Sequence, residues 1–237
     1  MKKLQRSFIL SLSIVGFSCS MLAAKGEPNK TATGIPLDTD WKKSIYSFAQ
    51  KNVVHPAWGI NHSERDYQVT KSIAQNEKLD LDEDVLFAAA FLHDVGGIPP
   101  YYDKNIDHAI RSVQVIEPLL PQWRFPMEKW PAVKDMILGH TYYGPLPSLA
   151  ISKAFRDADI LDFLGNIGTA RILAITQDPI MGKPTLQPML DTLTDFTQSM
   201  PPKCSYSTCR SMAGPRVVEM LAFLKGLSLE SINGLVP

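Results

Sequence analysis

The chain is poor in cysteine, in net charge and in long apolar segments. Only 3 of its 237 residues are cysteine, so it is not a disulfide-rich scaffold. Cys204 and Cys209 alone cannot supply the four ligands of a structural zinc site. Lysine and arginine total 24, as do aspartate and glutamate, and the formal net charge is +0. No basic excess therefore indicates a nucleic acid polymer as partner, and no acidic excess indicates a basic one.

Strand signals are also scarce, and helical periodicity recurs instead. The composition is that of a globular protein, with 45% hydrophobic and 20% charged residues. Segment 82–94 is apolar nearly all round, which predicts a central helix. Asp40 and Asp82 are predicted to cap helices, and further helices begin after His62 and at Asp107. Other predicted helices cover 128–140, 150–175, 186–200 and 213–227. The sequence predicts one all-α domain, a helical bundle over residues 40–230.

The N-terminus differs from the rest of the chain. Lys2, Lys3 and Arg6 precede an apolar stretch at 8–17, and small residues follow. This pattern is typical of a secretory signal, and the stretch is too short and too interrupted by serine for a stable membrane span. We predict a signal peptide at 1–24, a Pro- and Gly-containing linker at 25–39, and a periplasmic or secreted protein without a membrane span in the mature chain. A retained anchor, or a lipoprotein modified at Cys19, is the alternative.

Export would allow Cys204 and Cys209 to form a small disulfide in the segment CSYSTC. Two free thiols are the alternative.

Histidine is rare, with 5 residues in the chain. Four of them lie near the ends of predicted helices, where a pocket between helices would collect ligands: His62, His93, His108 and His140. His93 and Asp94 end the apolar segment FLHDVGG at 91–97. The pair is either a solvated helix end or part of a metal site.

Carboxylates also occur inside the apolar helix predicted at 150–175. Asp159 and Asp162 are three residues apart and share a helix face, while Asp157 points elsewhere. An unpartnered buried carboxylate costs roughly several kcal/mol. Because a cation between the helices would remove that cost, the carboxylates favour the metal-site interpretation.

Three segments in order carry a resemblance to a known family. His62-Ser63 with Arg65, FLHD at 91–94, and DADILDFLGNIGTAR at 157–171 are similar to the motifs of the HD-domain superfamily. Its members are all-helical, metal-dependent phosphohydrolases and their relatives, and the resemblance covers roughly residues 50–228. It implies a metal site between the helices.

The resemblance implies specific ligands. These are His62, His93, Asp94 and Asp159, with Asp157 as the alternative for the last position. Two imidazoles and two carboxylates suit Mn, Mg, Fe, Ni or Zn. One divalent ion is expected, and a second is possible if His108 and His140 are also ligands.

The resemblance further implies a hydrolase that uses metal-activated water on a small phosphorylated substrate, such as a phosphoester or nucleotide. Asp94 would orient the water as well as ligate the metal, and His108 and His140 would bind phosphate or act as acid and base. The remaining candidates, for substrate binding, are Arg65, Lys104, Tyr142 and Arg171. For both arginines a salt bridge to a helix carboxylate such as Asp162 is the alternative, and for Lys104 simple solvation.

Two departures limit the resemblance. Gly97 stands where some HD nucleotidases have glutamate, and Gly97-Ile98-Pro99-Pro100 replaces the lysine-containing motif of cyclic-dinucleotide phosphodiesterases. Other chemistry on the same scaffold stays open. The alternatives are a di-iron oxygenase with His108 and His140 as ligands, a lyase similar to the cyanamide hydratases, and a non-catalytic metal- or ligand-binding module whose coordination position is filled by the loop IPPYYD.

Overall fold

The computed structural model of the protein describes residues 29–176 and 178–231. The predicted signal peptide and residues 25–28 lie outside this range. Over the described residues the chain is all-α, without β-strands, and forms a helical bundle. Its α-helices are α1 (Asp40–Asn52), α2 (Ile60–Glu77), α3 (Glu83–Leu92), α4 (His108–Ile116), α5 (Trp130–Gly139), α6 (Ala150–Asp162), α7 (Gly165–Ala174), α8 (Leu186–Ser199) and α9 (Ser207–Glu230). None of these helices is long and apolar enough to cross a membrane.

Polar caps start several of the helices. Asp82 and Asp107 each accept hydrogen bonds from two backbone amides of the following turn, which confirms them as the N-caps of α3 and α4. The prediction for α1 was wrong by one residue. Thr39 is the cap and accepts from the amide of Lys42, and Asp40 lies in the first turn. A carboxylate there still interacts favourably with the helix dipole.

Helix α3 is the centre of the bundle, as its sequence predicts. Every side chain from Val85 to Leu92 is buried. Helices α1, α2 and α5 pack around it. The C-terminus of α3 lies inside the bundle, and the two residues that follow, His93 and Asp94, are also buried.

The predicted helix over 150–175 is in fact two helices. α6 ends at Asp162 and α7 begins at Gly165, whose φ of +74° favours glycine. A Cβ on Gly168 would lie 2.2 Å from the backbone of Phe163, so glycine also permits the close turn. The break folds α7 back, and Arg171 reaches Asp162 from a separate helix.

The described part of the predicted linker packs onto the bundle instead of extending from it. Ile35 and Leu37 are both 2% exposed. The hydroxyl of Thr31 donates to Glu64 on α2 over 3.0 Å. Residues 30–37 therefore belong to the folded core.

Cys204 and Cys209 form a disulfide at the start of α9, as one reading of the sequence predicts. Replacing both with serine should lower the free energy of unfolding by about 2 kcal/mol, because the small loop is no longer closed in the unfolded chain. Thermal unfolding without reductant should show a decrease in Tm of about 4–8 °C. An unchanged Tm, with the disulfide of the parent protein verified by mass spectrometry, would contradict this.

Candidate metal centre

Four predicted ligands from three helices meet at one point. His62 lies in the first turn of α2, His93 and Asp94 follow α3, and Asp159 lies within α6. Nε2 of His62 is 3.2 Å from Nε2 of His93, and 3.4 Å from an oxygen of both Asp94 and Asp159. None of the four residues is more than 9% exposed. The convergence of two imidazoles and two carboxylates suits a divalent cation.

Asp157 does not join this cluster. Its two oxygens accept hydrogen bonds from the backbone amides of Ser205 and Tyr206, each over 2.8 Å. Burial raises its pKa to about 6. Of the two alternatives for the last ligand, the geometry therefore favours Asp159.

Hydrogen bonds at Nδ1 orient the two histidines toward the centre. Nδ1 of His62 lies 2.8 Å from Asp162, and Nδ1 of His93 lies 3.0 Å from the carbonyl of Ala90. Since these partners only accept, both Nδ1 atoms are donors, and in the neutral rings both Nε2 atoms carry lone pairs. Two lone pairs 3.2 Å apart repel each other unless a proton or a cation lies between them. The arrangement fits a metal bound through Nε2 with oriented outer partners.

The charges around the centre do not balance. With every carboxylate ionised and the histidines neutral, four buried carboxylates face two guanidinium groups, an excess of two negative charges: Asp66, Asp94, Asp159 and Asp162 against Arg65 and Arg171. Burial raises the pKa of Asp66 well above its usual value. Burial and Arg171 lower the pKa of His62, but the surrounding carboxylates outweigh both and raise it to about 10. A bound divalent cation would neutralise this excess.

Asp66 was predicted only as a possible salt-bridge partner of an arginine and not as a metal ligand. It is 0% exposed, and neither of its carboxylate oxygens has a hydrogen-bond partner. Oδ2 lies 3.1 Å from Nε2 of His62 and 3.7 Å from Nε2 of His93. Its position four residues after His62 on α2 places both side chains on one face, and this spacing was the available signal. His62, Asp66, His93 and Asp159 together could hold one ion.

His108 and His140 form a second pair beside the first. Their Nε2 atoms are 3.0 Å apart, and Oδ1 of Asp94 lies 3.4 and 3.6 Å from them. Nδ1 of His140 donates to the carbonyl of Ile137 over 2.6 Å, so its Nε2 also points inward. Asp94 directs Oδ2 toward His62 and His93 and Oδ1 toward the second pair. This geometry suits a second cation or a pair of proton-transfer groups.

The two arginines predicted to bind substrate are paired with Asp162. Arg65 contacts both of its carboxylate oxygens, over 2.7 and 2.8 Å, and Arg171 contacts Oδ2 over 2.9 Å. The geometry therefore favours the salt-bridge alternative for both. Lys104 is exposed and does not line the cavity next to the ligands, whereas Tyr142 does.

Replacing Asp162 with asparagine should weaken metal binding about 10- to 100-fold, because it removes the charge that fixes His62 and both arginines. Competition against a chelating dye measures the affinity. Asp80→Asn, at an exposed carboxylate, is the matched control. Equal affinities for the two variants would contradict the orienting role.

Two of the four ligands, Asp94 and Asp159, line a cavity of about 770 Å³. His108 and His140 line it as well. The aromatic residues of its wall, several of them flanking the ligand segments in the sequence, are Trp58, Tyr102, Tyr142, Tyr143, Phe163 and Phe196. A molecule bound there would contact the metal centre directly.

Comparisons with known proteins agree with this architecture. Residues 59–164 match the family model of the HD domain. A predicted HD-superfamily hydrolase from an uncultured Thermotogales bacterium is 26% identical, with a TM-score of 0.54 over 79% of this chain and 89% of that chain. Bacillus subtilis YpgQ, solved in complex with ADP, is 21% identical, with a TM-score of 0.60 over 81% and 98%.

An HD-superfamily hydrolase from Bacillus thuringiensis is 21% identical, with a TM-score of 0.55 over 80% of this chain and 94% of that chain. A comparison with curated proteins finds no match. The residues that match the HD-domain model contain the complete cluster of ligands, and the chain has the fold of the HD-superfamily hydrolases.

Proposed function

We propose that the protein is a metal-dependent phosphohydrolase that acts on a small phosphoester. The observation that carries the proposal is the convergence of His62, His93, Asp94 and Asp159. Two of these residues, Asp94 and Asp159, line an open cavity. The hydrolase fold supports it. The complex of YpgQ with ADP supports a phosphorylated ligand.

The residues fit a resident divalent ion of Mn, Mg, Fe, Ni or Zn. His62, His93, Asp94 and Asp159 would hold it, and Asp66 is an additional ligand. Such an ion, when bound, lowers the pKa of water and offsets the charge of a phosphoryl group. Asp94 orients the attacking water through the oxygen that faces the cavity. His108 and His140, on the same wall, bind the phosphoryl group or exchange a proton with the leaving oxygen.

A di-iron oxygenase is the second candidate. The pairing of His108 with His140 beside Oδ1 of Asp94 favours it, because these atoms could complete a second metal site. The binding-module alternative receives less support. Tyr101 of the loop IPPYYD packs on Phe48, with 5.9 Å between ring centroids, and the cavity is not filled by this loop.

Phosphate release from a panel of monoesters and nucleotides, with Mn²⁺ or Mg²⁺ added to metal-stripped protein, tests the proposal. We expect release that requires metal and is absent in Asp94→Ala. Oxygen consumption by the iron-loaded protein is measured in parallel. A fully metal-loaded protein that releases no phosphate from any ester would overturn the phosphohydrolase, and turnover of oxygen would favour the second candidate.

Asp66→Asn should weaken metal binding at least about tenfold, because a ligand oxygen is replaced by an uncharged amide. The EPR spectrum of the Mn²⁺-loaded variant should also differ from that of the parent protein. Asp80→Asn again serves as control. If Asp66 only pairs with His62 in the metal-free protein, the asparagine variant will bind Mn²⁺ as tightly as the parent.

We also propose that the protein is exported, as the sequence of residues 1–24 predicts. The disulfide between Cys204 and Cys209 is compatible with an oxidising compartment. Expression of the full chain in a bacterium, followed by mass spectrometry of the periplasmic fraction, tests this. We expect a chain shortened by about 24 residues, and an uncleaved chain confined to the cytoplasm would contradict export.

A further inference from the structure

We infer that the cavity selects a phosphoester whose organic part is uncharged, apolar and large enough to hold an aromatic ring, and that it disfavours nucleoside polyphosphates. The inference rests on the proposed function and concerns the substrate of the same site. It is supported by the side chains that line the cavity away from the metal ligands.

An aromatic cluster from α8, from the end of α6 and from the segment between α5 and α6 forms one side of the cavity. The ring centroids of Tyr142, Phe163 and Phe196 are 5.3–5.8 Å apart, and each pair meets edge to face. Such packing fixes the rings and leaves their remaining surface toward the cavity. Other apolar side chains extend this wall: Ile172, Ile175, Met181 and Met189. A surface of this kind binds apolar groups by removing them from water.

The described lining residues include almost no basic side chains that could bind additional phosphates. Among the described residues that line the cavity, Arg171 is the sole lysine or arginine. Its guanidinium is already engaged by Asp162 over 2.9 Å and by the carbonyl of Ala57. A polyphosphate that extended from the metal centre would therefore meet no free lysine or arginine among the described lining residues.

The outer part of the cavity is instead acidic. Asp191 and Asp195, one turn apart on α8, both line it and are exposed. Their carboxylates would repel the distal phosphates of a nucleoside triphosphate. An uncharged group has no such repulsion.

The size of the cavity also requires more than a phosphate. Its volume of about 770 Å³ lies in the range of pockets that enclose complete small organic molecules. If the phosphoryl group lies at the metal centre, most of the remaining space faces apolar side chains. An aryl or similarly bulky apolar group matches that space in size and polarity.

Calorimetry on the Mn²⁺-loaded protein, with ligands that it cannot hydrolyse, tests the inference. We expect phenylphosphonate to bind at least about tenfold more tightly than methylphosphonate, because the ring is buried. It should also bind more tightly than the β,γ-imido analogue of ATP. The double variant Asp191→Lys/Asp195→Lys should gain about tenfold in affinity for the ATP analogue and keep its affinity for phenylphosphonate. Glu219→Lys, an exposed acid on α9 outside the cavity, is the matched control.

The outcomes separate this inference from the proposed function. An ATP analogue that binds the parent protein as tightly as phenylphosphonate overturns the inference, and metal-dependent hydrolysis of ATP would then leave the phosphohydrolase intact. If no phosphonate binds but the neutral ring compound 2-naphthol does, the apolar site stands and the phosphohydrolase fails. Absence of binding by both phenylphosphonate and 2-naphthol overturns the inference as well.

Discussion

Replacing Asp94 with alanine should lower kcat/KM for a metal-dependent phosphomonoester reaction by about 10³-fold or more. Among the described residues, Asp94 alone places one carboxylate oxygen 3.4 Å from Nε2 of His62 and the other 3.4 Å from Nε2 of His108. Its loss removes a metal ligand, the orientation of the water and the link to the second histidine pair. Losing several kcal/mol of transition-state stabilisation corresponds to an effect of this size.

Steady-state kinetics at saturating Mn²⁺ measure the effect, with Asp80→Ala as a control that retains activity. Circular dichroism verifies that both variants are folded. A loss of less than about tenfold in the folded Asp94→Ala protein would show that Asp94 is not at the centre of the reaction.

Removing the metal should destabilise the protein strongly. Without a metal, four buried carboxylates lie close together, burial raises the pKa of Asp66, and neither of its oxygens has a hydrogen-bond partner. Metal at about 1,000 times its Kd adds about 4 kcal/mol to the free energy of unfolding. For a chain of this size, Tm should therefore rise by roughly 10 °C when Mn²⁺ is added after chelation.

Differential scanning calorimetry of chelator-treated protein measures this shift. The Asp94→Ala variant should show a much smaller one, because a ligand is missing and because one of the repelling carboxylates is gone. Equal shifts in the two proteins would locate the stabilising metal elsewhere.

Much of the candidate metal centre could be predicted because several of its residues lie at helix ends that the sequence pattern marks. The apolar segment before His93 predicts a buried helix end, and a buried His-Asp pair needs a partner. The choice between Asp157 and Asp159 could not be made from the sequence. Both lie on the same helix, and the backbone amides that engage Asp157 come from the start of α9, 48 and 49 residues away.

Other features depend on tertiary packing and could not be predicted from local patterns. The interruption between α6 and α7 depends on Gly165 and on the close approach of Gly168 to Phe163. Arg171 reaches Asp162 from α7 because of that break, and Arg65 reaches it from α2. The burial of Asp66 follows from the packing of α2 against α6, and in the sequence it resembles a solvated residue in a charged segment.

Elemental analysis of purified protein, after reconstitution with Mn²⁺ and removal of excess metal, tests the central claim most directly. We predict at least one equivalent of metal per chain in the parent protein and its loss in Asp94→Ala. Two equivalents would include His108 and His140 in the centre. A parent protein that binds no metal under these conditions would contradict the account of the site.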